Sequence, residues 1–403
     1  MPDALRDEEK TGGFSSSREQ KYCDAWVDAV IFSSWIEVNM YIWELSGWPG
    51  LRWDEAALLE PLAAARLKQG RLLGGMARLG FDLKLEAQLE ALTEETIKSS
   101  EIEGEVFDRD SVRSSLASRL GVPQAAVAPA DRRTDGVVDM MLDATQKYDE
   151  PLTQERLFAW QASLFPTGRS GLDEIRTGAW RDDADGPMQV VSGPVGGRRV
   201  HYEAPPAHRI AGEMQRFLEW FNGAERIEGL LRAGLAHLWF VTIHPFEDGN
   251  GRIARAITDQ ALAQSEGSGQ RFYSMSSQIR KERSDYYDAL EHTQKGGVDV
   301  TEWLLWFLGC FSRAIAGSDA ASMNVLRKAD FWQRHARVAF SDRQRAVLDR
   351  YLGGFEGNLT AKKWAALTKV SIPTAQRDIN ELVERGVLKR NAGGSKNTSY
   401  EVV

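Results

Sequence analysis

The sequence predicts a mainly α-helical protein, with one β-hairpin set into a helical core and a small mixed unit near its C-terminal end. Three observations carry that expectation. Aliphatic residues return at helical spacing through most of the chain, as at Leu85, Leu89, Leu92, Ile97 and Ile102. Met188–Gly193 and Val195–Tyr202 flank a Pro/Gly tip at 194–197 and read as the two arms of a hairpin. Close to the end, helical patterns give way to strand, glycine-rich turn and strand between Gly386 and Val402.

The 403 residues leave room for two or three domains with real cores. A hydrophobic share of 42% and a charged share of 27% describe an ordinary soluble globular chain. A net charge of −8 excludes a general polyanion binder while leaving room for a local basic patch. Cys23 and Cys310 supply no disulfide framework and fit a reducing, cytoplasmic setting. The most apolar early stretch, 25–43, carries Asp28 and Glu37, so no membrane span is expected, and no signal peptide is read at the start.

In chain order, Asp3 to Lys21 is polar, with Gly12-Gly13 and three serines at 15–17, and is expected to be disordered. Trp48-Pro49-Gly50 is a turn, and Asp54 caps a helix carrying Leu58, Leu59, Leu62, Ala65 and Leu67. Pro61 should kink or restart it, giving a second piece that ends at Leu79-Gly80-Phe81. A third helix runs from Leu83 to Glu103. Its aliphatic stripe is read as core. Pro123–Pro129 reads as a linker, followed by helices over 131–147 and 153–164 and a turn-rich loop from Phe165. Gly178-Ala-Trp-Arg181, the hairpin and Pro205-Pro206 lead to helices over 209–221 and 230–242. His237, with no third ligand spaced for zinc, is read as a packed core histidine. Trp303, Leu304, Phe307 and Leu308 read as core.

From Arg343, short helical patterns at 343–352 and 361–367 precede a turn at 370–374, and Thr374 is expected to cap a helix through Arg385. With the strand–turn–strand that follows, this is a winged helix-turn-helix pattern. Its charge from Lys362 onward is +4, opposite in sign to the whole chain. Thr374, Gln376 and Arg377 on the second helix and Lys396 on the wing are the candidate DNA contacts. Asp378, Glu381 and Glu384 interrupt that helix, which leaves a protein-docking or homodimer-packing wing as the alternative.

The chemistry concentrates in His244-Pro-Phe-Glu-Asp-Gly-Asn-Gly-Arg-Ile-Ala-Arg255. An apolar helix breaks at Pro245, and a new helix starts near Arg252. A loop that opens onto a helix N-terminus offers free N–H groups and a favourable dipole to phosphate. Gly249 and Gly251 are expected to take positive φ and let the backbone approach an anion. Asn250 adds donors, Arg252 and Arg255 share one face and can hold further phosphates, and Asp248 supplies a hard oxygen for Mg²⁺. His244 is placed to take a proton. Taken singly, a Gly-Asn-Gly is a turn and a helix-end histidine is a cap; here a base, a carboxylate, a nest and two arginines fall together.

This run resembles, at every fixed position, the Fic (Fido-domain) family signature His-Pro-Phe-x-Asp/Glu-Gly-Asn-Gly-Arg-x-x-Arg. The resemblance implies a protein adenylyltransferase, moving AMP from ATP to a protein hydroxyl with Mg²⁺ as the nucleotide's metal. Ser99-Ser-Glu-Ile-Glu103-Gly104 resembles the family's inhibitory motif, Ser/Thr-x-x-x-Glu-Gly/Asn, whose glutamate pairs with the second signature arginine; here Glu103 would pair with Arg255. In the resembling family the hairpin covers the site and aligns the modified segment by strand addition, which falls on Val190, Val191, Ser192 and Gly193. Tyr286, Tyr287 and Gln294 match the stretch that lines the adenosine pocket, although Asn is commoner where Gln294 stands. Met40-Tyr-Ile-Trp-Glu resembles the usual start of such proteins, so translation is suspected to begin at Met40.

The expected organisation is a leader or mis-assigned start at 1–39, an N-terminal helical domain with the inhibitory helix at 40–125, a catalytic core at 126–320 and the winged unit at 338–403. The expected substrates are ATP and a partner protein, with the chain itself as one candidate. Two rivals stay open: AMP removal or transfer of another phosphate-bearing group at the same site, and a DNA-binding regulator whose core only senses nucleotide.

Overall fold

The computed structural model describes residues 40–403 apart from 78, 123–128, 185, 193–196, 198, 225, 353–356 and 392–397, with backbone alone at 319–327 and 329. The leader and the question of its start, most of the linker, the hairpin tip with Gly193, and Lys396 therefore lie outside the described residues.

The protein is mainly helical. After a 3-10 turn at Ile42–Glu44 come α1 (Glu55–Ala77), α2 (Phe81–Ile102), α3 (Arg109–Arg119), α4 (Arg132–Gln146) and α5 (Gln154–Leu164). Two short strands, β1 (Arg169–Ser170) and β2 (Asp173–Glu174), precede the hairpin of β3 (Gln189–Ser192) and β4 (Arg199–Glu203). Then follow α6 (Ala207–Asn222), α7 (Gly229–Ile243), α8 (Asn250–Glu266), α9 (Met275–Lys281), α10 (Arg283–Gln294) and the long α11 (Thr301–Arg334). The chain closes with α12 (Asp342–Leu352), α13 (Ala361–Thr368), α14 (Ile372–Glu384), β5 (Leu388–Arg390) and β6 (Tyr400–Val402).

Two expectations need correction. Pro61 neither restarts nor ends its helix: α1 runs unbroken from Glu55 to Ala77, capped by Asp54 through the Ala56 and Ala57 N–H groups. Proline removes one N–H bond there, while Leu58, Ala65, Leu72 and Met76 stay buried along one face on both sides of it. The second helix of the winged unit begins before Thr374. Ser371 is its cap, accepting from the Thr374 N–H, and Pro373 sits in the first turn, where a missing N–H has no helical partner to lose.

The main core gathers around α7 and α8. Every residue of α7 from Leu230 to Ile243 except Arg232 is buried, the pattern of a helix enclosed on all sides. Each fully buried Leu or Phe there contributes roughly 1.5–3 kcal/mol. α11 passes close by: a Cβ on Gly234 would stand 3.1 Å from both Leu304 and Phe307. Leu89, Leu92 and Ile97 of α2 form a second cluster with Val112 and Leu116 of α3 and Val138 of α4. The far end of α11 supplies Phe331 to a third core, with Val347, Leu348, Trp364, Ile379 and Tyr400 of the winged unit. A single helix of 34 residues, about 50 Å long, thus belongs to both bodies. No described helix is long and apolar enough to cross a membrane.

Candidate active site

α7 ends at His244, whose own backbone is left-handed (φ 52, ψ 58). That conformation costs a residue with a Cβ on the order of 1–2 kcal/mol, so something must hold it. Arg181 does. It is fully buried and donates from Nε to the His244 carbonyl (2.8 Å), from Nη2 to the Pro205 carbonyl (2.5 Å), and from its backbone N–H to the Pro245 carbonyl (2.9 Å). Nη1 pairs with Asp183 at 2.8 Å. The imidazole Nδ1 of His244 lies 3.2 Å from the Val241 carbonyl. A carbonyl only accepts, so Nδ1 carries the proton and Nε2 carries the lone pair. Desolvation of the half-buried ring lowers its pKa to about 4, with the Val241 bond opposing and Arg181 adding to the shift. The ring is neutral at pH 7.

The loop from 245 to 249 hangs on two residues. Phe246 is fully buried, against Phe158, Trp180 and Phe240. Asn250 brackets it, donating to the Phe246 carbonyl at 2.7 Å and accepting from its N–H at 2.9 Å. The amide oxygen and one amide N–H are therefore committed to holding the loop. Gly249 takes φ 88 as the residue before α8 and brings no side-chain cap, which leaves the first turn of α8 without one. Gly251 does not share that conformation; it lies inside α8. A Cβ there would stand 2.1 Å from Glu103 Oε1, so any larger residue would displace that carboxylate from its place beside Arg255.

Asp248 accepts from the Gly249 N–H at 2.6 Å and from the Ser170 hydroxyl of β1. No group of three His, Cys, Asp or Glu that could hold a metal occurs among the described residues. A lone carboxylate fits a Mg²⁺ ion that arrives on a nucleotide and is completed by phosphate oxygens and water.

Both signature arginines are buried and both are engaged. Arg255 donates from Nε to the Ser99 hydroxyl (2.9 Å), and from Nη2 to the Ser99 carbonyl (2.8 Å) and to Glu103 Oε1 (2.8 Å). Desolvation, the largest single influence, would lower its pKa, but the charge and hydrogen bond of Glu103 together with Tyr286 and Tyr287 outweigh it and the net shift is upward. Arg252 lies over the Phe165 ring, 4.9 Å from its centroid, and pairs with Glu105 at 2.8 Å. Arg252 Nε and Arg255 Nη1 remain buried without a protein partner among the described residues, as suits groups that receive anionic ligands.

Among the described residues β3 pairs with β4 alone, in register Val190↔Tyr202 and Val191↔Val200, with an irregularity between Val190 and Val191. Its outer edge has no strand beside it among the described residues, and Val191 and Ser192 are exposed. Ser192 and the hairpin are tied to α10 through His201, which contacts Ser192 Oγ and Glu291 at 2.5 Å each. The three residues matched to the adenosine pocket diverge. Tyr286 is buried with its hydroxyl on His237 (2.8 Å), Gln294 is buried with its amide 3.3 Å from the Thr242 hydroxyl, and only Tyr287 presents a partly open ring. His237 is a core histidine: Nδ1 meets the Thr258 hydroxyl at 2.9 Å, and burial, then Arg255, lowers its pKa to about 3. The larger described cavity, about 630 Å³ between α2, α9 and α11, is lined by none of the signature residues.

In the winged unit, Gln376 is tied to Asn380 (2.8 Å) and Tyr400 (2.9 Å), Thr374 Oγ lies 2.9 Å from Ser371 Oγ, and Arg377 is exposed. Sequence reasoning missed Arg181, Ser170, Phe165 and Glu105. Nothing in their spacing marks them, since each acts across the fold.

The helical core thus brings together an uncapped helix N-terminus, two buried arginines and a neutral histidine. Residues 151–262 match the Fic/DOC family model and residues 355–400 a DeoR-like helix-turn-helix domain, while residues 41–122 match a domain of unknown function (DUF4172). The chain is a Fic/DOC family protein with a C-terminal DeoR-like helix-turn-helix domain. It is 24% identical over 226 residues to a probable protein adenylyltransferase of Aquifex aeolicus, covering 56% of this chain and 62% of that protein. It is 30% identical over 122 residues to a uridine 5'-monophosphate transferase of Xanthomonas campestris, covering 28% of this chain and 21% of that one. The chain thus spans less than two thirds of these relatives' own lengths. A Fic family protein from Desulfovibrio desulfuricans shares the fold, with a TM-score of 0.51 and 21% identity over 87% of this chain and 97% of that one.

Proposed function

We propose that the chain is a protein adenylyltransferase, transferring AMP from ATP to a Ser, Thr or Tyr hydroxyl of a protein, and that Glu103 restrains it. The observation that carries the reading is His244: a neutral imidazole whose Nε2 has no hydrogen-bond partner among the described residues, beside the uncapped start of α8. ATP sits with its phosphates over Gly249 to Arg252, and Arg252 and Arg255 take the outer ones. Mg²⁺, bound through the nucleotide and Asp248, would neutralise phosphate charge there. The acceptor hydroxyl lies along the open edge of β3 and gives its proton to His244 Nε2. Its oxygen bonds to the α-phosphorus as the bond to the β-phosphate oxygen breaks, and pyrophosphate leaves. Proton removal by a positioned base supplies ~10²–10⁴-fold, and fixed charge and positioning the rest. Glu103 holds Arg255 and lies against Gly251, where a phosphate would otherwise approach.

The test is labelling of host lysate with α-³²P-ATP, and with α-³²P-UTP because one relative is named for uridylyl transfer. Wild type and Glu103→Gly should label, the latter more strongly, and His244→Ala should not. Wild-type labelling by His244→Ala would remove the histidine from the mechanism. Loss of label from a premodified protein, dependent on Glu103, would instead favour AMP removal.

A second role concerns the DeoR-like domain, a fold type that suggests DNA binding. Arg377 is exposed on α14, whereas Gln376 is committed within the unit, so contact through phosphates is favoured over base reading.

A further inference from the structure

We propose that the turn closing α2 is a double lock, in which Glu105 holds Arg252 just as Glu103 holds Arg255. The inference rests on the reading above, that both arginines receive nucleotide phosphates. It assigns Glu105 a part in controlling the site.

Gly104 takes φ 85, its N–H donates to the Glu101 carbonyl at 3.1 Å, and the Glu105 N–H donates to the Ser100 carbonyl at 3.0 Å. These are the paired bonds of a Schellman turn, which reverses the chain at a helix end. Glu103 is the last residue before the reversal and Glu105 the first after it. Their carboxylates consequently meet α8 at two points, and Arg252 and Arg255, three residues apart, lie on one helix face to receive them.

Glu105 is fixed from a second side. Its other oxygen takes Arg133 of α4 at 3.2 Å, and Arg133 in turn lies over the Phe107 ring. The second tooth is thereby anchored to α4 as well as to α2. Arg252 is almost fully buried and its Nη1 is occupied by this carboxylate, so a phosphate reaching that atom must displace Glu105 or meet its charge at close range. Removing Glu103 alone takes the carboxylate from Arg255, which keeps its bonds to Ser99, and leaves Arg252 held by Glu105.

The discriminating measurement is calorimetric titration of ATP with Mg²⁺ into the full-length chain carrying Glu103→Gln, Glu105→Gln or both, alongside α-³²P-ATP labelling. Each single change should tighten binding by about tenfold, and the double change by about the product, since each removes one charged hydrogen bond that the nucleotide must break. Glu105→Asp keeps the charge but withdraws it by one methylene, so it should fall between wild type and Glu105→Gln. It remains informative if the glutamine variant folds poorly. A merely structural Glu105 would lower the melting temperature without raising affinity. Affinity unchanged by Glu105→Gln in both backgrounds, while Glu103→Gln tightens binding, overturns the double lock and leaves the proposed function standing. Failure of every folded variant to bind ATP overturns both.

Discussion

Arg181 and His244 are joined by one hydrogen bond, 2.8 Å long, from the guanidinium Nε, itself shut away from solvent, to the histidine's own carbonyl. That bond secures the left-handed turn that presents the imidazole. A helix-end histidine is otherwise free to fray.

Arg181→Lys should therefore damage turnover more than nucleotide binding. Lysine offers a point charge where a planar fork spans two carbonyls and the Asp183 carboxylate, so the loop loses most of its clasp. We expect kcat to fall by about 10²-fold with KM for ATP little changed, read from initial labelling rates. A rise in KM with kcat intact would place Arg181 in nucleotide binding instead.

The acid limb of activity should lie low. His244 titrates near 4 in the folded chain, so its basic form persists from neutrality down to about pH 5 and disappears through about pH 4. Labelling between pH 4 and 8 checks this. An inflection near 6.5, the ordinary value for histidine, would show that the ring is not desolvated.

His237 makes the fold acid-sensitive. Its pKa is lowered to about 3, so between 3 and 6.5 the unfolded chain binds a proton that the folded chain refuses, and stability declines as pH falls through that window. From pH 7 to pH 4 this one group removes about 3 kcal/mol of unfolding free energy. From urea melts, the unfolding free energy should fall between pH 7 and pH 4 by that much more in wild type than in His237→Gln. Parallel losses in both would assign the sensitivity elsewhere.

Asp248 makes a specific metal prediction. Asp248→Asn should raise the Mg²⁺ concentration needed for half-maximal labelling by roughly tenfold or more, as loss of a charged ligand does. Chelation should stop wild-type labelling reversibly. Identical Mg²⁺ curves for the two proteins would take Asp248 out of metal binding.

If the terminal unit holds DNA, retention of a duplex by the full-length chain should weaken as salt rises. Arg377→Ala should reduce the slope of log affinity against log salt by about one. Salt-independent retention, or none, would favour a protein-docking role.

Periodicity along the chain was enough to reveal the helices, the hairpin and the terminal mixed unit, because amphipathic spacing and turn residues are local properties. The order of residues from His244 to Arg255 likewise revealed a loop opening onto a helix, since Pro245 and Gly249 act on their immediate neighbours. Spacing failed where partners came from elsewhere. The order of residues predicts positive φ at Gly251, yet that glycine lies inside α8 and makes room for Glu103, a residue nearly 150 positions earlier, and Asn250 turns one face of its amide to Phe246. The clasp by Arg181, the Ser170 bond to Asp248 and the hold of Glu105 on Arg252 were decided by tertiary structure alone. Backbone pattern is written in nearest neighbours. Which buried charge finds which partner depends on how α2, α8 and the loop after α5 are brought together, and that is a property of the packed core.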